Sequence, residues 1–236
     1  MGSSTANVGW LAGIGFAHVA VHFSKANAMS DTAALARTRL RVSFGLDRLW
    51  AESIGMPAGD TKERPLRLVA QVLERSGTPY ALIGGLAVQL RTAEPRTTLD
   101  IHVAVASFDQ VPCAALLAAG FEHTGRHAHS DNWLAPAGNG VGSRVAVQFS
   151  AEDVGIAAAV AAAEMTEVAD GLRLRVATAA DLIQLKLAAA AEPQRRPSKR
   201  QHDVADVVAL LEEHPHLGSA EILTRLRAVR LALLDS

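Results

Sequence analysis

The stretch that decides the fold reads Tyr80-Ala-Leu-Ile-Gly84-Gly85-Leu-Ala-Val88. Its first four residues form a short apolar run, typical of a buried strand, and two glycines end it. Residues 86–90 return to the apolar spacing of a helix. The pattern predicts strand, glycine turn and helix. The glycine pair, Gly84 and Gly85, lets a ligand approach the backbone, and the N–H groups of the helix start can bind phosphate. A tight turn without a ligand is the alternative interpretation.

A second block, Arg96-Thr-Thr-Leu-Asp100-Ile-His102, leads into Val103-Ala-Val. Residues 97–105 are rich in β-branched side chains and predict a second strand. Because side chains alternate along a strand, Asp100 and His102 are expected on the same face. That placement is the geometry needed to hold a divalent metal ion.

Helices and further strands are predicted on both sides of these blocks. The region from Pro65 to Gly77 reads as an amphipathic helix, and Thr178 is expected to cap a later helix through Asp181. The other predicted helices cover residues 111–119, 156–165, 199–213 and 219–234. The other predicted strands cover residues 127–136 and 144–150, as an antiparallel pair, and residues 172–176.

The chain divides into four predicted regions. Residues 1–28 are interpreted as an unstructured or non-native extension, since their uncharged run is too short and too glycine-broken to span a membrane and has no basic residue before it for a signal peptide. Residues 29–61 are predicted to be an N-terminal helical segment and residues 62–155 the α/β core. Residues 156–236 are predicted to be a mostly helical C-terminal region that completes a cleft.

Composition limits the classes of function. The chain has 236 residues, 49% hydrophobic and 20% charged, as in ordinary globular proteins. Lys plus Arg total 23 against 24 for Asp plus Glu, so no global basic field points to nucleic acid. An anionic ligand must therefore bind a local patch, and the dense basic cluster consists of Arg195, Arg196, Lys199 and Arg200. The single cysteine, Cys113, excludes an intrachain disulfide and fits a cytoplasmic location.

Four blocks in this order resemble the nucleotidyltransferase superfamily, in the branch around the AbiEii abortive-infection toxins. They are the two blocks above, Ala180-Asp-Leu-Ile-Gln-Leu-Lys186 and Arg200-Gln-His-Asp203-Val-Ala-Asp206. The resemblance implies an α/β fold of the α+β type, with a small mixed sheet flanked by helices. It implies binding of a nucleoside triphosphate and transfer of a nucleoside monophosphate to an RNA (such as tRNA), protein or small-molecule acceptor. It also implies Mg²⁺ or Mn²⁺ as cofactor and an antitoxin protein as a partner.

The resemblance also assigns roles to residues. Asp100 and Lys186 take the catalytic positions, and Asp100, His102 and Gln148 take the metal positions. The implied nucleotide-binding residues are Gly84, Gly85, Arg96, Lys186, Arg200, Asp203 and Asp206. Lys186 is alternatively a solvated helix lysine. Asp203 and Asp206 are alternatively an acidic first turn of a helix.

Two departures from the family pattern concern the metal. Where the family has a second and a third aspartate, this chain has His102 and Gln148, and a neutral imidazole or amide is a poor ligand for Mg²⁺. Three outcomes are open: one ion held by Asp100 and the nucleotide phosphates, a softer metal such as Mn²⁺, or loss of catalysis. The competing functions are thus an enzyme, a catalytically degenerate binding module, and a structural domain without a ligand. A metal site at His123, His127 and His129 is disfavoured against an exposed strand edge.

Overall fold

The computed structural model describes residues 62–92, 98, 100–137, 144–169 and 171–234, together with residues 34, 38, 41–49, 52 and 53 near the N-terminus. The predicted extension at residues 1–28 lies outside the described residues, and so does Arg96. Within the predicted N-terminal helical segment, residues 41–49 are helical, and Phe44 belongs to the buried core.

A seven-stranded sheet forms the centre of the protein, in the strand order β3-β4-β5-β2-β1-β7-β6. Neighbouring strands are parallel in the pairs β1–β7 and β2–β5 and antiparallel in the other four. The mixed sheet with flanking helices confirms the predicted α/β class. The strands are β1 (Ala81–Ile83), β2 (Asp100–Ala104), β3 (Glu122–His127), β4 (Ser130–Leu134), β5 (Ala146–Ser150), β6 (Glu164–Ala169) and β7 (Leu172–Val176).

Seven α-helices accompany the sheet in the described part of the chain. The predicted cap at Thr178 is present at the start of the helix Ala179–Ala191, because Thr178 Oγ1 accepts a hydrogen bond from the Asp181 N–H at 3.1 Å. None of the helices among the described residues is long and apolar enough to cross a membrane. The helices are α1 (Glu63–Arg75), α2 (Gly84–Arg91), α3 (Cys113–Ala118), α4 (Ile156–Ala162), α5 (Ala179–Ala191), α6 (Pro197–Glu213) and α7 (Ala220–Leu234).

The pleat of the sheet separates a buried face from an open face. On β2 and β5 the buried residues Ile101, Val103, Val147 and Phe149 alternate with half-buried or exposed ones. Successive side chains of a strand point to opposite faces, so the alternating residues share the other side of the sheet. That open face carries Asp100, and it is the wall of the candidate cleft.

Strand β1 is buried along its whole length, which explains why the sequence there is continuously apolar. Tyr80, immediately before it, is 2% exposed, and its hydroxyl accepts a hydrogen bond from the backbone N–H of Arg175 at 3.2 Å. Burial raises the pKa of Tyr80 to about 12. Tyr80 therefore connects the predicted fold-deciding stretch to the neighbouring strand β7.

Strands β3 and β6 were not predicted from the sequence. Both lie at an edge of the sheet and pair with one neighbour only, β3 with β4 and β6 with β7. An edge strand such as β3 is solvated on most sides, and all but one of its residues are exposed. Such a strand needs no alternation of apolar and polar residues, so the periodic signal is absent.

Candidate functional site

The site is centred on the first residues of β2. The carboxylate of Asp100 is engaged on both oxygens: Thr98 Oγ1 donates to Oδ1 at 2.9 Å, and His102 Nε2 lies 2.8 Å from Oδ2. Asp100 and His102 are two residues apart on one strand, which places them on the same face as predicted. The side chains of His102 and Asp100 keep 28% and 42% of their surface exposed, so the pair faces an open cleft.

Electrostatics keep Asp100 ionised. Burial alone would raise the pKa of Asp100, but the hydrogen bond and charge of His102 and the hydrogen bond from Thr98 outweigh it and hold the pKa well below its ordinary value. Lys199, from the first turn of α6, lies close enough to lower the pKa of Asp100 further. The N-terminal end of α6 therefore lies near the start of β2.

The predicted glycine turn lies directly against this pair. Gly84 has a φ of +70°, and a Cβ atom built on it would lie 2.9 Å from His102 Cβ and 3.0 Å from His102 Nδ1. A Cβ on Gly85 would lie 3.1 Å from Thr98 Cβ. Two glycines are required here because the turn packs against the two side chains that hold Asp100. No side chain caps the start of α2, so its first N–H groups remain available to a ligand.

Gln148 lies on the adjacent strand, paired in register with His102. Neighbouring strands are about 4.8 Å apart, so Asp100, His102 and Gln148 share one patch of the open face. This patch contains one carboxylate, and its two oxygens already have hydrogen-bond partners. Among the described residues, no group of three or more His, Cys, Asp or Glu side chains could hold a metal ion. The donors present do not fit the oxygen shell that Mg²⁺ requires.

Lys62 is a residue of this region that the sequence analysis missed. It is 4% exposed, and its ammonium group contacts the Asp47 carboxylate and the backbone carbonyl of Thr98. A lysine is rarely buried without such partners. Since Thr98 holds Asp100, a chain of polar contacts runs from the N-terminal helical residues to the site. The sequence offered no signal, because Lys62 follows a loop and belongs to no motif.

The predicted cleft residues of α5 and α6 bind one another. Lys186 Nζ lies 2.8 Å from both Asp203 Oδ1 and Asp206 Oδ2, and Arg195 Nε lies 2.7 Å from Asp203 Oδ2. The two carboxylates are only 3% and 5% exposed. The structure thus brings Lys186, Asp203 and Asp206 together as a buried ion-pair network that joins two helices. Their predicted contact with a nucleotide stays a prediction.

The four residues of the basic cluster have different surroundings. Arg195 pairs with Asp203, and Arg200 is 7% exposed and donates from Nε to the Ala190 carbonyl at 2.8 Å. Arg196 and Lys199 are exposed. Lys199 is the member whose charge acts on Asp100, so it is the cation best placed to contact a ligand in the cleft.

The three histidines near β3 lie elsewhere. His127 and His129 are exposed, as expected for a strand edge. His123 Nε2 lies 2.6 Å from Oδ1 of Asp131, a fully buried carboxylate that also binds Arg126. Asp131 lies in register with Phe149 and so belongs to the buried face of the sheet. This ion pair is separate from the cleft and was not foreseen from the sequence.

Comparison with solved structures supports the fold. A crystal structure of an antigenic nucleotidyltransferase-like protein from Paracoccidioides brasiliensis matches with a TM-score of 0.52 and 18% identity, over 73% of this chain and 88% of that one. The crystal structure of JHP933 from Helicobacter pylori matches with a TM-score of 0.50 and 14% identity, over 69% of this chain and 70% of that one. No protein-family model matches the sequence, and no curated protein is significantly similar to it. The fold is therefore nucleotidyltransferase-like.

Proposed function

We propose that this chain is a nucleotide-binding protein that uses the nucleotidyltransferase-like fold without efficient metal-dependent transfer. The observation that carries the proposal is the state of Asp100, whose two carboxylate oxygens are bound by Thr98 and His102 at 2.9 and 2.8 Å. Two-metal transfer needs several free anionic oxygens around the reacting phosphate. Among the described residues of this patch, Asp100 supplies the one carboxylate, and both of its oxygens are already engaged.

Phosphate binding remains well supported by the same cleft. The start of α2 has no side-chain cap, so its backbone N–H groups can donate to a ligand, and its two glycines place this helix start against His102 and Thr98 at the site. Across the cleft, Lys199 supplies a positive charge close to Asp100. A triphosphate placed between these groups would meet hydrogen-bond donors on one side and a cation on the other.

Transfer of a nucleoside monophosphate is the second candidate, and one observation favours it. The depressed pKa of Asp100 keeps one anionic ligand on the strand where the family-like pattern expects it. With the nucleotide phosphates completing the shell, a single Mg²⁺ or Mn²⁺ ion would support slow transfer to an RNA, protein or small-molecule acceptor. Toxin activity controlled by an antitoxin belongs to this second candidate.

Titration calorimetry of the full chain distinguishes the two candidates. A nucleoside triphosphate should bind with an affinity that changes little when Mg²⁺ is replaced by a chelator, and a nucleotide-transfer assay should show little turnover. A protein that binds the nucleotide only with Mg²⁺ and transfers it efficiently would contradict the proposal. The Lys199→Met variant should bind more weakly, whereas Arg64→Met, an exposed change on α1, should bind like the unmodified chain.

A further inference from the structure

A row of polar side chains crosses the open face of the sheet beside the site. The register pairs His102 of β2 with Gln148 of β5, and Gln148 with Asn132 of β4. Directly paired residues point to the same side of a sheet. All three side chains are half-buried, so they are open to solvent on the face that carries Asp100. We call Gln148 and Asn132 the amide strip.

The amide strip has hydrogen-bonding capacity that the described part of the chain does not use. Each amide carries two N–H donors and a carbonyl acceptor. Asn132 Nδ2 donates to Ser130 Oγ at 3.2 Å, and no other side-chain hydrogen bond of Asn132 or Gln148 occurs among the described residues. Neither side chain is charged. The strip therefore suits an uncharged ligand group with alternating donors and acceptors, and it supplies no positive charge to a phosphate.

An apolar row lies next to the strip. Ala146 of β5 pairs with Leu134 of β4, two residues along each strand from the amides. Ala146 is exposed and Leu134 is half-buried, so both are accessible on the open face. Two residues of strand span about 6.6 Å. A planar ring lying on this apolar row would present its edge to the two amides.

We propose that the amide strip recognises the base of the nucleotide held in the cleft, with Leu134 and Ala146 beneath the ring. This inference rests on the proposed nucleotide-binding function and adds the residues that set its base specificity. The strip begins one strand away from Asp100, so a ligand with its phosphates beside Lys199 would extend its nucleoside across β5. Asn and Gln amides match the adjacent donor and acceptor of adenine, so ATP is the expected ligand.

Calorimetry on the full chain tests this assignment with ATP, GTP, CTP, UTP and inorganic triphosphate, which has no base. ATP should bind about tenfold more tightly than the other nucleotides, the difference expected from one or two hydrogen bonds. Asn132→Ala and Gln148→Ala should each remove most of this preference and leave the affinity for triphosphate unchanged. The control is Gln71→Ala, which removes an exposed amide from α1, and it should keep the preference.

The outcomes separate this inference from the proposed function. If triphosphate and all nucleotides bind equally, or if the alanine variants keep the preference for ATP, the assignment of the strip is wrong and nucleotide binding stands. If the alanine variants change the ratio of ATP to dATP affinity but keep the base preference, the strip contacts the sugar. The assignment of the strip to the base is then also wrong. If neither triphosphate nor any nucleotide binds, the proposed function fails and this inference fails with it.

Discussion

His102 Nε2 lies 2.8 Å from Asp100 Oδ2, so the histidine at the position where the family resemblance implies a second carboxylate is hydrogen-bonded to Asp100. Two aspartates at these positions would repel each other and attract a divalent cation. A histidine and an aspartate at these positions instead form a hydrogen bond with each other. A histidine at residue 102 supplies no anionic oxygen, and it also engages the carboxylate of Asp100.

Placing carboxylates at residues 102 and 148 should strengthen metal binding. In the variant His102→Asp with Gln148→Asp, three carboxylates would share one patch, and Mg²⁺ with nucleoside triphosphate should bind more tightly than to the unmodified chain. Without metal the repulsion should lower the melting temperature, and added Mg²⁺ should recover it. Calorimetry and thermal melting measure the two effects. If the unmodified chain already binds Mg²⁺ tightly and transfers nucleotide faster than this variant, His102 and Gln148 are functional ligands.

Substituting Gly84 should lower the free energy of unfolding more than substituting another glycine of similar backbone conformation. Gly84 and Gly77 have φ values of +70° and +61°, but a Cβ atom at Gly77 would meet nothing within 4 Å. Gly77→Ala should therefore show the backbone cost alone, about 1–2 kcal/mol. Gly84→Ala should exceed it because its Cβ would collide with His102. Denaturant unfolding measures the loss of unfolding free energy in the two variants. Equal losses would mean that the contact between residue 84 and His102 adds no further cost.

Lys186 should contribute to the stability of the fold, whereas Lys199 should not. In Lys186→Met the buried Asp203 and Asp206 lose a common partner, so the free energy of unfolding should fall by about 3–5 kcal/mol. Lys199 is exposed, and Lys199→Met should change stability by less than about 0.5 kcal/mol. Lys199→Met should, however, weaken triphosphate binding about tenfold. A stable Lys186→Met protein that has lost nucleotide binding would restore Lys186 to the role implied by the family resemblance.

Tyr80 should make stability fall at high pH. Its pKa is raised to about 12 in the folded protein, above the ordinary value of 10. The unfolded chain therefore loses this proton first, so the stabilisation is complete below pH 10 and is lost as the pH rises towards 12. Two pKa units correspond to about 2–3 kcal/mol. Tyr80 is the only tyrosine, so tyrosinate absorbance reports its titration directly. Tyr80→Phe should remove this pH dependence.

The parts of the fold that follow local rules could be predicted from the sequence. The run ending at Gly84, the alternation around Asp100 and the Thr178 cap each depend on neighbours within a few residues. The mixed sheet could be predicted for the same reason, since its central strands have strong apolar patterns, and the structure confirms it. Strand β3 has no such pattern because it lies at an edge. Its exposed residues predicted only that His127 and His129 would be solvated.

The candidate site was predictable in its position but not in its internal bonding. That Asp100, His102 and Gln148 lie together follows from period-two alternation and strand order. The pairing of Lys186 with Asp203 and Asp206 depends on how α5 packs against α6, which the spacing of those residues on their own helices does not determine. Lys62 is the clearest case, because its partners Asp47 and Thr98 are 15 and 36 residues away in sequence.

The buried Lys62 also bears on where this fold can be divided. The predicted boundary between the N-terminal helical segment and the core falls at residue 62. The ammonium group of Lys62, however, contacts Asp47 on one side of that boundary and Thr98 on the other. A fragment that starts at residue 62 would retain a buried cation without its counter-ion. The helical residues that carry Asp47 are thus connected through Lys62 to the segment that leads into the strand of Asp100, and we expect a core without them to be less stable than the full chain.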